Sequence, residues 1–503
     1  MISNFDGAEG SLRRGSRTIV ASIVVLANLF LNISCGPTSG TQGTAQSAFR
    51  SVAQNGTDRP NVILVVADAL RADHLGVYGY ERRSVSPNID AIAARSQVYL
   101  RAISPAGWTV PSMASLFSGE YPQTHQVLRF IDPSEHGVFR DRIEVKIKMD
   151  ALSPQFDTVA ECFQRGGYNT VALLKSHVVN AGRGFEQGFD RFEIILKGPK
   201  ADGTSGKHLA DSALDYLVAR QSQAEPPPFF LYLHFMDTHI PYRPPEPYFS
   251  KYLDDSWETD QDGSYRQYQK FLAREETRAP QASPTADDIE MLTALYDGSI
   301  EFFDAQVGRI WDFLEDSGLT DNTIFVLTAD HGEAFHEHGM VGHSGVFQEH
   351  IHVPLLLWVP GLAQATLDSW VETIQVPPTL LRLSGLREQC AWRKEALMLG
   401  EVFEETSPTA VFSEWGREHA IIDQRGFKLI VTPEHELLFD LNSDPGERED
   451  LLDDNPAIAD NLRDLLREHI TSTKEAASLF PKIDRAELDD EQVEALRELG
   501  YIQ

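Results

Sequence analysis

The sequence predicts an α/β fold with a large, doubly wound, mostly parallel sheet and a small C-terminal antiparallel α+β domain. Apolar runs of strand length recur along the chain, and segments with helical periodicity lie between them. The runs lie at 61–67, 171–174, 229–235, 324–328 and 354–359, and the clearest helical segments at 88–96 and 293–316. Continuous apolar strands that alternate with helices are typical of a parallel sheet covered on both faces.

The C-terminal part of the chain has a different pattern. Short alternating strands at 410–414, 427–431 and 436–440 predict an antiparallel sheet. A helix is predicted to begin near Asn455, because Pro456 suits a first helical turn. We expect a main domain at 60–395, a small α+β subdomain at 396–483 and a helical tail at 484–503. Within the main domain, a polar insertion at 245–290 is expected to form a surface lid.

The N-terminus predicts export to the periplasm or cell envelope. Three arginines precede an apolar run at 18–33, which is too short for a comfortable membrane span. The run ends beside Cys35 and resembles a bacterial lipoprotein cleavage site, although Asn32 stands where that motif usually has Leu. We expect a signal peptide at 1–35, a lipidated Cys35 as membrane tether and a flexible linker at 36–59. An uncleaved anchor and cleavage without lipidation are the alternatives.

Composition limits the partners and the kind of metal site. The 44 Lys and Arg residues and 75 Asp and Glu residues give a formal net charge of −31, which would repel nucleic acid. Cys35, Cys162 and Cys390 allow at most one intrachain disulfide and lack the spacing of a zinc ribbon. Any metal would therefore be held by oxygen and nitrogen atoms.

Polar side chains follow several predicted strands at the point where each strand ends. Asp68 directly follows 61–67, and Asp330 with His331 follows 324–328. In open α/β sheets, ligands bind beyond the carboxyl ends of the strands. An aspartate after a strand is most simply a helix cap or a turn former. The joint placement of two carboxylates and an imidazole favours a metal site instead.

Thr109 is the candidate nucleophile. It lies just before Pro111, where the segment 107–119 is predicted to start a helix whose backbone N–H groups would attract anions. Taken alone, a capping threonine is the simpler interpretation. Beside a metal site, its hydroxyl becomes a nucleophile, because a metal lowers the pKa of a bound alcohol.

These motifs resemble the sulfatase family of the alkaline phosphatase superfamily, and they occur in the order found in that family. The matching segments are RPNVILVVADALRADHLGVYGY at 59–80, TVPSMASLFSGEYP at 109–122, LKSH at 174–177, FFLYLHFMDTHIPYRPP at 229–245, DNTIFVLTADHGEAFHEHG at 321–339 and GHSGVFQEHIHVPLL at 342–356. The resemblance implies a sulfatase-like fold, a divalent metal and an anionic ester substrate. The domain at 60–395 would then be the catalytic domain.

The resemblance also assigns roles to individual residues. The metal ligands would be Asp68, Thr109, Asp330 and His331. The ester oxygens and the leaving group would contact Lys175, His177, His239 and His343. His177 or His343 would protonate the leaving alcohol, since the ordinary pKa of histidine lies near working pH.

Three departures from the sulfatase pattern change the expected chemistry. Thr109 stands where sulfatases need Cys or Ser for conversion to formylglycine, so no formylglycine is expected. Met113 replaces the arginine that supports formylglycine, and Ala69 replaces a second acidic metal ligand. Together with His331, where many sulfatases have Asn, the loss of a carboxylate shifts the expected metal from calcium toward zinc or manganese.

A threonine nucleophile is similar to that of the nucleotide pyrophosphatases and phosphodiesterases, phosphoethanolamine transferases and lipoteichoic acid synthases of the same superfamily. The resemblance implies a phosphothreonine intermediate, resolved by water or an acceptor alcohol. We therefore expect phosphodiester or phosphoryl-transfer chemistry to be favoured over aryl sulfate hydrolysis. Asp237, His239 and His343 are candidates for a second metal site. The alternative is a catalytically degenerate protein that binds anionic glycans or lipids.

Overall fold

The computed structural model describes most of the chain between residues 59 and 480. It covers 59–128, 148–195, 205–272, 282–390, 408–480 and 486–487, with isolated positions between 392 and 399. The strands in chain order are β1 (Asn61–Ala67), β2 (Gln97–Ile103), β3 (Lys148–Met149), β4 (Asn169–Leu174), β5 (Arg191–Ile194), β6 (Phe229–Phe235), β7 (Thr323–Ala329), β8 (Ala334–Phe335), β9 (Val341–Gly342), β10 (His352–Val353), β11 (Leu355–Trp358), β12 (Ala365–Glu372), β13 (Ala410–Trp415), β14 (Glu418–Asp423), β15 (Phe427–Val431), β16 (Glu436–Asp440) and β17 (Ala486–Glu487).

The α-helices of the described residues lie between the strands along the chain, as the sequence predicts. They are α1 (Pro87–Ala93), α2 (Thr109–Ser118), α3 (Pro122–His125), α4 (Val159–Arg165), α5 (Ser205–Gln221), α6 (Tyr265–Tyr268), α7 (Ala286–Asp316), α8 (Gln348–Ile351), α9 (Val376–Leu383) and α10 (Pro456–Ala477). None of these helices is both long and apolar enough to span a membrane.

A nine-stranded sheet forms the centre of the described structure. Its order is β10-β2-β11-β7-β1-β6-β4-β5, and β12 pairs with β2. The strands from β7 to β5 are parallel to one another, whereas β11 runs antiparallel to both β7 and β2. Every residue of β1, β6 and β7 is buried, so both faces of the sheet are covered. The predicted fold class is confirmed.

The register of the central strands determines where the site lies. Ala67, the last residue of β1, is aligned with Phe235 of β6 and with Ala329 of β7. Asp68 and Asp330 are the residues that follow Ala67 and Ala329, so they emerge side by side at the carboxyl edge of the sheet. This is the edge at which ligands bind in open α/β sheets.

The C-terminal strands form the predicted antiparallel sheet, with one strand more than expected. The order is β13-β14-β15-β16, and β14 is the strand that the sequence pattern missed. One face of this sheet packs on α10 through an apolar cluster that includes Leu438 and Leu462. Other residues of the sheet pack with Ile103 and Trp370 of the main sheet. As predicted, α10 follows Asn455 and carries Pro456 in its first turn.

Cys162 and Cys390 form a disulfide with a Cα–Cα distance of 5.8 Å. It links α4 to the segment that follows α9, and it is the single bridge that three cysteines allow. The predicted signal peptide, the lipidated Cys35 and the linker lie outside the described residues. So does the predicted tail, apart from residues 486–487, which form β17 and pair with β3.

Part of the insertion expected to form a lid is packed into the core. Tyr268 and Phe271 are 1% and 3% exposed and belong to the main apolar cluster. The first of these lies on α6. These two aromatic side chains attach the described part of the insertion to the core, whereas Phe249, Tyr252 and Trp257 are half-buried, and the expected lid stays a prediction.

Candidate active site

Two buried carboxylates define the site. The backbone N–H of Asp68 donates to Phe235 O at 2.9 Å, which continues the β1–β6 ladder. Asp330 accepts through Oδ1 from the N–H groups of Ala69 at 3.1 Å and His331 at 2.8 Å. Asp68 Oδ1 and Asp330 Oδ2 are buried and accept no hydrogen bond from the described residues. Uncompensated buried carboxylate oxygens are costly, and a bound cation would satisfy them.

Ala69 has a backbone conformation that serves this arrangement. Its φ is +60°, in the left-handed region that costs a residue with a side chain about 1 to 2 kcal/mol. In this conformation its N–H donates to Asp330, while Tyr296 donates its hydroxyl hydrogen to Ala69 O at 2.7 Å. Strained backbone of this kind concentrates at functional sites. Ala69 thus contributes to the site through its backbone, and its methyl group offers no ligand.

The two carboxylates affect each other's ionisation. Burial together with the charge of Asp68 holds the pKa of Asp330 well above its usual value. Burial also tends to raise the pKa of Asp68, but the nearby His239 and a hydrogen bond with His234 outweigh it, and that pKa is lowered. Two acids this close resist double ionisation. A divalent cation between them would remove the conflict, so the donor set fits a metal.

Thr109 is the first residue of α2 and is 1% exposed. Its Oγ1 lies 3.2 Å from Nε2 of His331. The first turn of the helix is fixed by Ser112, which donates to Asp330 O at 2.6 Å, and Ser104 donates to the same carbonyl oxygen. The structure therefore brings Thr109 to the residues at the end of β7, as the sequence predicts.

His331 directs the lone pair of its Nε2 toward the carboxylates of Asp68 and Asp330. Its Nδ1–H donates to Gly332 O at 2.8 Å, so Nε2 carries the lone pair. That atom lies 3.5 Å from Asp68 Oδ1 and 3.6 Å from Asp330 Oδ2. Burial, assisted by the nearby His343, lowers the pKa of His331 to about 3. A neutral imidazole whose second nitrogen is held by a backbone carbonyl is the usual state of a histidine metal ligand.

His234 is a member of the site that the sequence analysis did not assign. It is fully buried near the end of β6, and its Nε2 lies 3.3 Å from Asp68 Oδ2. Ligand atoms of Asp68, His234 and Asp330 all lie within 4.8 Å of one another. The signal in the sequence was a lone imidazole in the apolar run FFLYLHF.

Three imidazole rings line the site. The ring of His343 lies 4.6 Å from that of His331 and 4.9 Å from that of His239, measured between centroids. His239 donates through Nδ1–H to Ile240 O at 2.6 Å. The structure thus gathers two of the three predicted catalytic histidines, His239 and His343, around His331, the predicted metal ligand.

Glu333 is a second residue that the sequence analysis missed. Its carboxylate lies 3.4 Å from His343 Nδ1 and accepts from the hydroxyls of Tyr242 at 2.9 Å and Tyr268 at 3.2 Å. Burial tends to lower the pKa of His343, but the charge of Glu333 outweighs it and the pKa is raised. His343 is therefore favoured in its protonated form.

Lys175 and His177 follow β4, as predicted. Lys175 donates to Ile195 O, and the backbone carbonyl of His177 accepts from Asn180 Nδ2 at 2.7 Å. Both side chains are half-buried. Their predicted contact with the ester oxygens stays a prediction.

The second metal site is not assembled in the described residues. Asp237 instead accepts from Gly206 N at 3.0 Å and Ser205 Oγ at 3.3 Å, at the start of α5. The group formed by Asp68, His234 and Asp330 is the one set of three close metal-ligating side chains found among these residues. Asp237 is thus held at the helix N-terminus through Oδ1, and its predicted role beside His239 and His343 stays a prediction.

Comparisons with known proteins agree with this geometry. A family model described as Sulfatase matches residues 60–386. A sulfatase of Formosa agariphila is 24% identical over 447 residues, which cover 78% of this chain and 83% of that protein. The Delta 4,5-hexuronate-2-O-sulfatase of Bacteroides thetaiotaomicron is 24% identical over 468 residues, covering 85% and 92%.

Solved structures share the fold. The crystal structure of the phosphonate monoester hydrolase of Agrobacterium radiobacter aligns with a TM-score of 0.65 and 21% identity, covering 86% of this chain and 99% of that chain. The family match covers the strands and helices that carry Asp68, Thr109 and Asp330. This chain belongs to the sulfatase family of the alkaline phosphatase superfamily, and it is a metal-dependent, sulfatase-like ester hydrolase.

Proposed function

We propose that this chain is an exported hydrolase of phosphate or sulfate esters that uses Thr109 as its nucleophile, with phosphodiester or phosphoryl-transfer chemistry favoured over aryl sulfate hydrolysis. The observation that carries the proposal is the 3.2 Å approach of Thr109 Oγ1 to His331 Nε2, at the edge of the two buried carboxylates. A hydroxyl so placed at the start of α2 also faces the positive end of the helix dipole.

The metal would be held by Asp68, Asp330 and His331, with Thr109 beside it. When bound, a divalent cation supplies positive charge that lowers the pKa of a neighbouring alcohol and neutralises an anionic ester. The mixture of carboxylate oxygens and an imidazole nitrogen favours zinc or manganese over calcium, which prefers six to eight oxygen ligands.

The reaction proposed for the side chains is a displacement in two steps. Thr109 Oγ1 forms a bond to phosphorus or sulfur, and the bond from that atom to the leaving oxygen breaks. Thr109 loses its hydroxyl proton to solvent, and His343 gives a proton to the leaving oxygen. A water or acceptor alcohol then returns a proton to His343 and displaces Thr109 Oγ1, which regains a proton from solvent. Thr109 cannot follow the formylglycine route, because oxidation of its secondary alcohol gives a ketone and not an aldehyde.

His343 is the proposed donor of the proton to the leaving group. Glu333 lies 3.4 Å from Nδ1 of His343 and is itself held by two tyrosine hydroxyls, so the ring has a fixed, anionic partner. His239 and Lys175 are the proposed donors to the non-bridging oxygens. A single preorganised donor in such a role is worth about 3 to 4 kcal/mol.

Export is proposed from the N-terminal sequence and is supported by the Cys162–Cys390 disulfide. Disulfides persist mainly outside the cytosol. We propose a periplasmic or cell-envelope location, with Cys35 as the site of a lipid anchor. Labelling of cells with radioactive palmitate tests this directly, since a Cys35→Ser variant should take up no label. A variant that is labelled equally would contradict the anchor.

The nucleophile is tested by intact-protein mass spectrometry after rapid acid quenching with bis(4-nitrophenyl) phosphate or 4-nitrophenyl sulfate. We expect an adduct that peptide mapping locates on Thr109, and faster release of nitrophenol from the phosphodiester. The matched control is Ser118→Ala, which removes a buried hydroxyl from the other end of α2. An adduct on another residue, or faster hydrolysis of the sulfate, contradicts the corresponding part of the proposal.

A degenerate protein that binds anionic glycans or lipids is the second candidate. It is motivated by Met113 and Ala69, which are both fully buried and stand where the family pattern has polar residues. Tight metal binding with no turnover of phosphate, phosphonate or sulfate esters would favour it.

A further inference from the structure

We infer that His234 is a metal ligand of this chain and supplies through imidazole the donor that is missing at Ala69. The inference concerns the same cation as the proposed function and deepens it. It does not depend on Thr109 as nucleophile, because it is tested by metal binding without substrate.

The first support is position. His234 lies on β6, where it is aligned with Val66 of β1 and Leu174 of β4, so its backbone is fixed between two central strands. Its Nε2 lies 3.3 Å from Asp68 Oδ2. Zinc ligands at 2.0 to 2.2 Å in a tetrahedral arrangement stand roughly 3.3 to 3.6 Å apart. This separation therefore suits two ligands of one cation.

The same spacing recurs around the site. His331 Nε2 lies 3.5 Å from Asp68 Oδ1 and 3.6 Å from Asp330 Oδ2, and Thr109 Oγ1 lies 3.2 Å from that nitrogen. His234 and His331 thus approach opposite oxygens of the Asp68 carboxylate. Asp68 Oδ1 and Asp330 Oδ2 accept no hydrogen bond from any residue that the structure describes. A single cation would account for all of these contacts at once.

The second support is the partner of the other ring nitrogen. Tyr232 lies two residues earlier on β6, and its hydroxyl oxygen is 2.6 Å from His234 Nδ1. The tyrosine hydroxyl donates toward Met113 Sδ at 3.9 Å. With its hydrogen directed at sulfur, the phenolic oxygen can accept from His234 Nδ1–H, which is the tautomer that metal binding at Nε2 requires. Without a cation, Nε2–H donates to Asp68 Oδ2 instead, and in the proposed site the cation takes the place of that hydrogen.

These contacts connect two of the departures from the sulfatase pattern, Met113 and Ala69. The arginine expected at position 113 has no acceptor atom and could not receive the tyrosine hydrogen. Met113 provides a weak acceptor for Tyr232, Tyr232 can then accept from His234, and His234 can offer a lone pair to a cation beside Asp68, the residue before Ala69. We therefore read the exchanges at 69 and 113 as parts of one altered metal site.

The alternative is that His234 is only a hydrogen-bond donor to Asp68. In that case Nε2 carries the hydrogen, and the ring positions Asp68 without touching the metal. The two arrangements differ in the number of imidazole nitrogens bound to the cation. They predict two nitrogens, from His234 and His331, or one nitrogen, from His331 alone.

The decisive experiment is pulsed EPR on the wild-type chain loaded with Mn²⁺ and labelled with ¹⁵N-histidine. Two directly bound imidazole nitrogens are expected. One nitrogen or none would overturn the inference. The same count in Thr109→Ala separates this result from the proposed function, because that variant removes the proposed nucleophile and leaves both imidazoles in place.

Affinity provides the second test. Metal-free His234→Gln is titrated with Co²⁺, followed by visible absorption, and with Ca²⁺, followed by calorimetry. We expect at least a tenfold loss of Co²⁺ affinity with less than a threefold change for Ca²⁺. The control is His125→Gln, which removes another buried imidazole, bonded to Ser115 at 3.0 Å. Adding Ala69→Asp to His234→Gln should restore binding with a preference for Ca²⁺. Wild-type Co²⁺ affinity and spectrum in His234→Gln would overturn the inference.

Discussion

Thr109 and His331 are 222 residues apart in the sequence, and their side chains lie 3.2 Å apart at the carboxyl edge of the main sheet. One begins a helix and the other follows a central strand. The approach of the two side chains depends on Asp330. Its backbone carbonyl accepts a hydrogen bond from the hydroxyl of Ser112 in the first turn of α2. The proposed nucleophile and the proposed metal ligands are therefore linked through one backbone carbonyl group.

Replacement of Thr109 by alanine should abolish turnover. Loss of a catalytic nucleophile lowers kcat by roughly 10³- to 10⁶-fold. Thr109→Ser should retain measurable activity, since it keeps a hydroxyl at the same position, as a primary instead of a secondary alcohol. Steady-state hydrolysis of bis(4-nitrophenyl) phosphate measures both variants. Wild-type kcat in Thr109→Ala would assign the chemistry to another group.

Replacement of Glu333 by glutamine should slow the reaction without removing the nucleophile. The side chain keeps its size and its amide oxygen can still accept from one of the two tyrosines, Tyr242 or Tyr268, but it no longer places a negative charge beside His343. Loss of general acid catalysis is worth about 10²- to 10⁴-fold. The effect should be smaller for esters with an acidic alcohol, such as nitrophenol, than for alkyl esters. An equal loss of kcat for nitrophenyl and alkyl esters would contradict a role for His343 in leaving-group protonation.

Removal of charge from the carboxylate pair should stabilise the metal-free protein and abolish its response to metal. Asp68→Asn relieves the repulsion that holds the pKa of Asp330 high. Wild type should gain about 2.7 kcal/mol of stability at a zinc concentration 100 times its dissociation constant. Thermal unfolding with and without zinc checks both statements. A wild-type melting temperature that does not respond to zinc or manganese would contradict the metal site.

The buried ion pair between Lys428 and Glu447 should control the stability of the C-terminal sheet. The two side chains are fully buried and in contact at 2.5 Å. Lys428→Met leaves an isolated buried carboxylate and should cost about 3 to 5 kcal/mol. The double variant Lys428→Met with Glu447→Gln should cost less than the single one, because no charge is left unpaired. Urea unfolding measures the free energies, and additive losses would contradict the pairing.

His338 should make stability depend on pH. Burial tends to lower its pKa, but Glu349, at 2.8 Å from Nδ1, outweighs this and raises it. A histidine whose pKa is raised by folding stabilises below its unfolded pKa of about 6.5, and this stability is lost as pH rises through the folded value. Glu349→Gln should remove the effect, which we expect to be about 1 kcal/mol. Urea titrations measure the difference in unfolding free energy between wild type and Glu349→Gln. A difference that increases with pH would contradict the predicted loss of stability at higher pH.

The sequence was sufficient for the architecture and for the positions of the main ligands. Continuous apolar runs define β1, β6 and β7, and in a parallel sheet the residues that follow such strands share one edge. Asp68, Asp330 and Thr109 could therefore be placed together in advance. The strand β14 was missed because its first residues, Glu418 and His419, interrupt the apolar alternation.

The direction of individual side chains could not be predicted. Asp237 and His239 follow the same strand, yet Asp237 turns to the start of α5 and His239 lies beside His343. His234 could be expected near the same edge but could not be given a specific role, since its contact with Asp68 depends on the β1–β6 register. The contact between Glu333 and Tyr268 joins a loop to an insertion with no recognisable pattern. Each of these depends on tertiary packing, which local sequence does not encode.

The backbone carbonyl oxygen of Asp330 accepts hydrogen bonds from the hydroxyl groups of both Ser104 and Ser112. This one atom therefore links the end of β2, the end of β7 and the start of α2. As a backbone atom, it is not one of the side-chain groups proposed to contact the ester. An exchange of the side chain at position 109 can then redirect the reaction from one kind of attacking group to another without moving the frame that carries it. For protein engineering, we expect positions 109 and 113 together to be the place where the proposed attacking group can be exchanged.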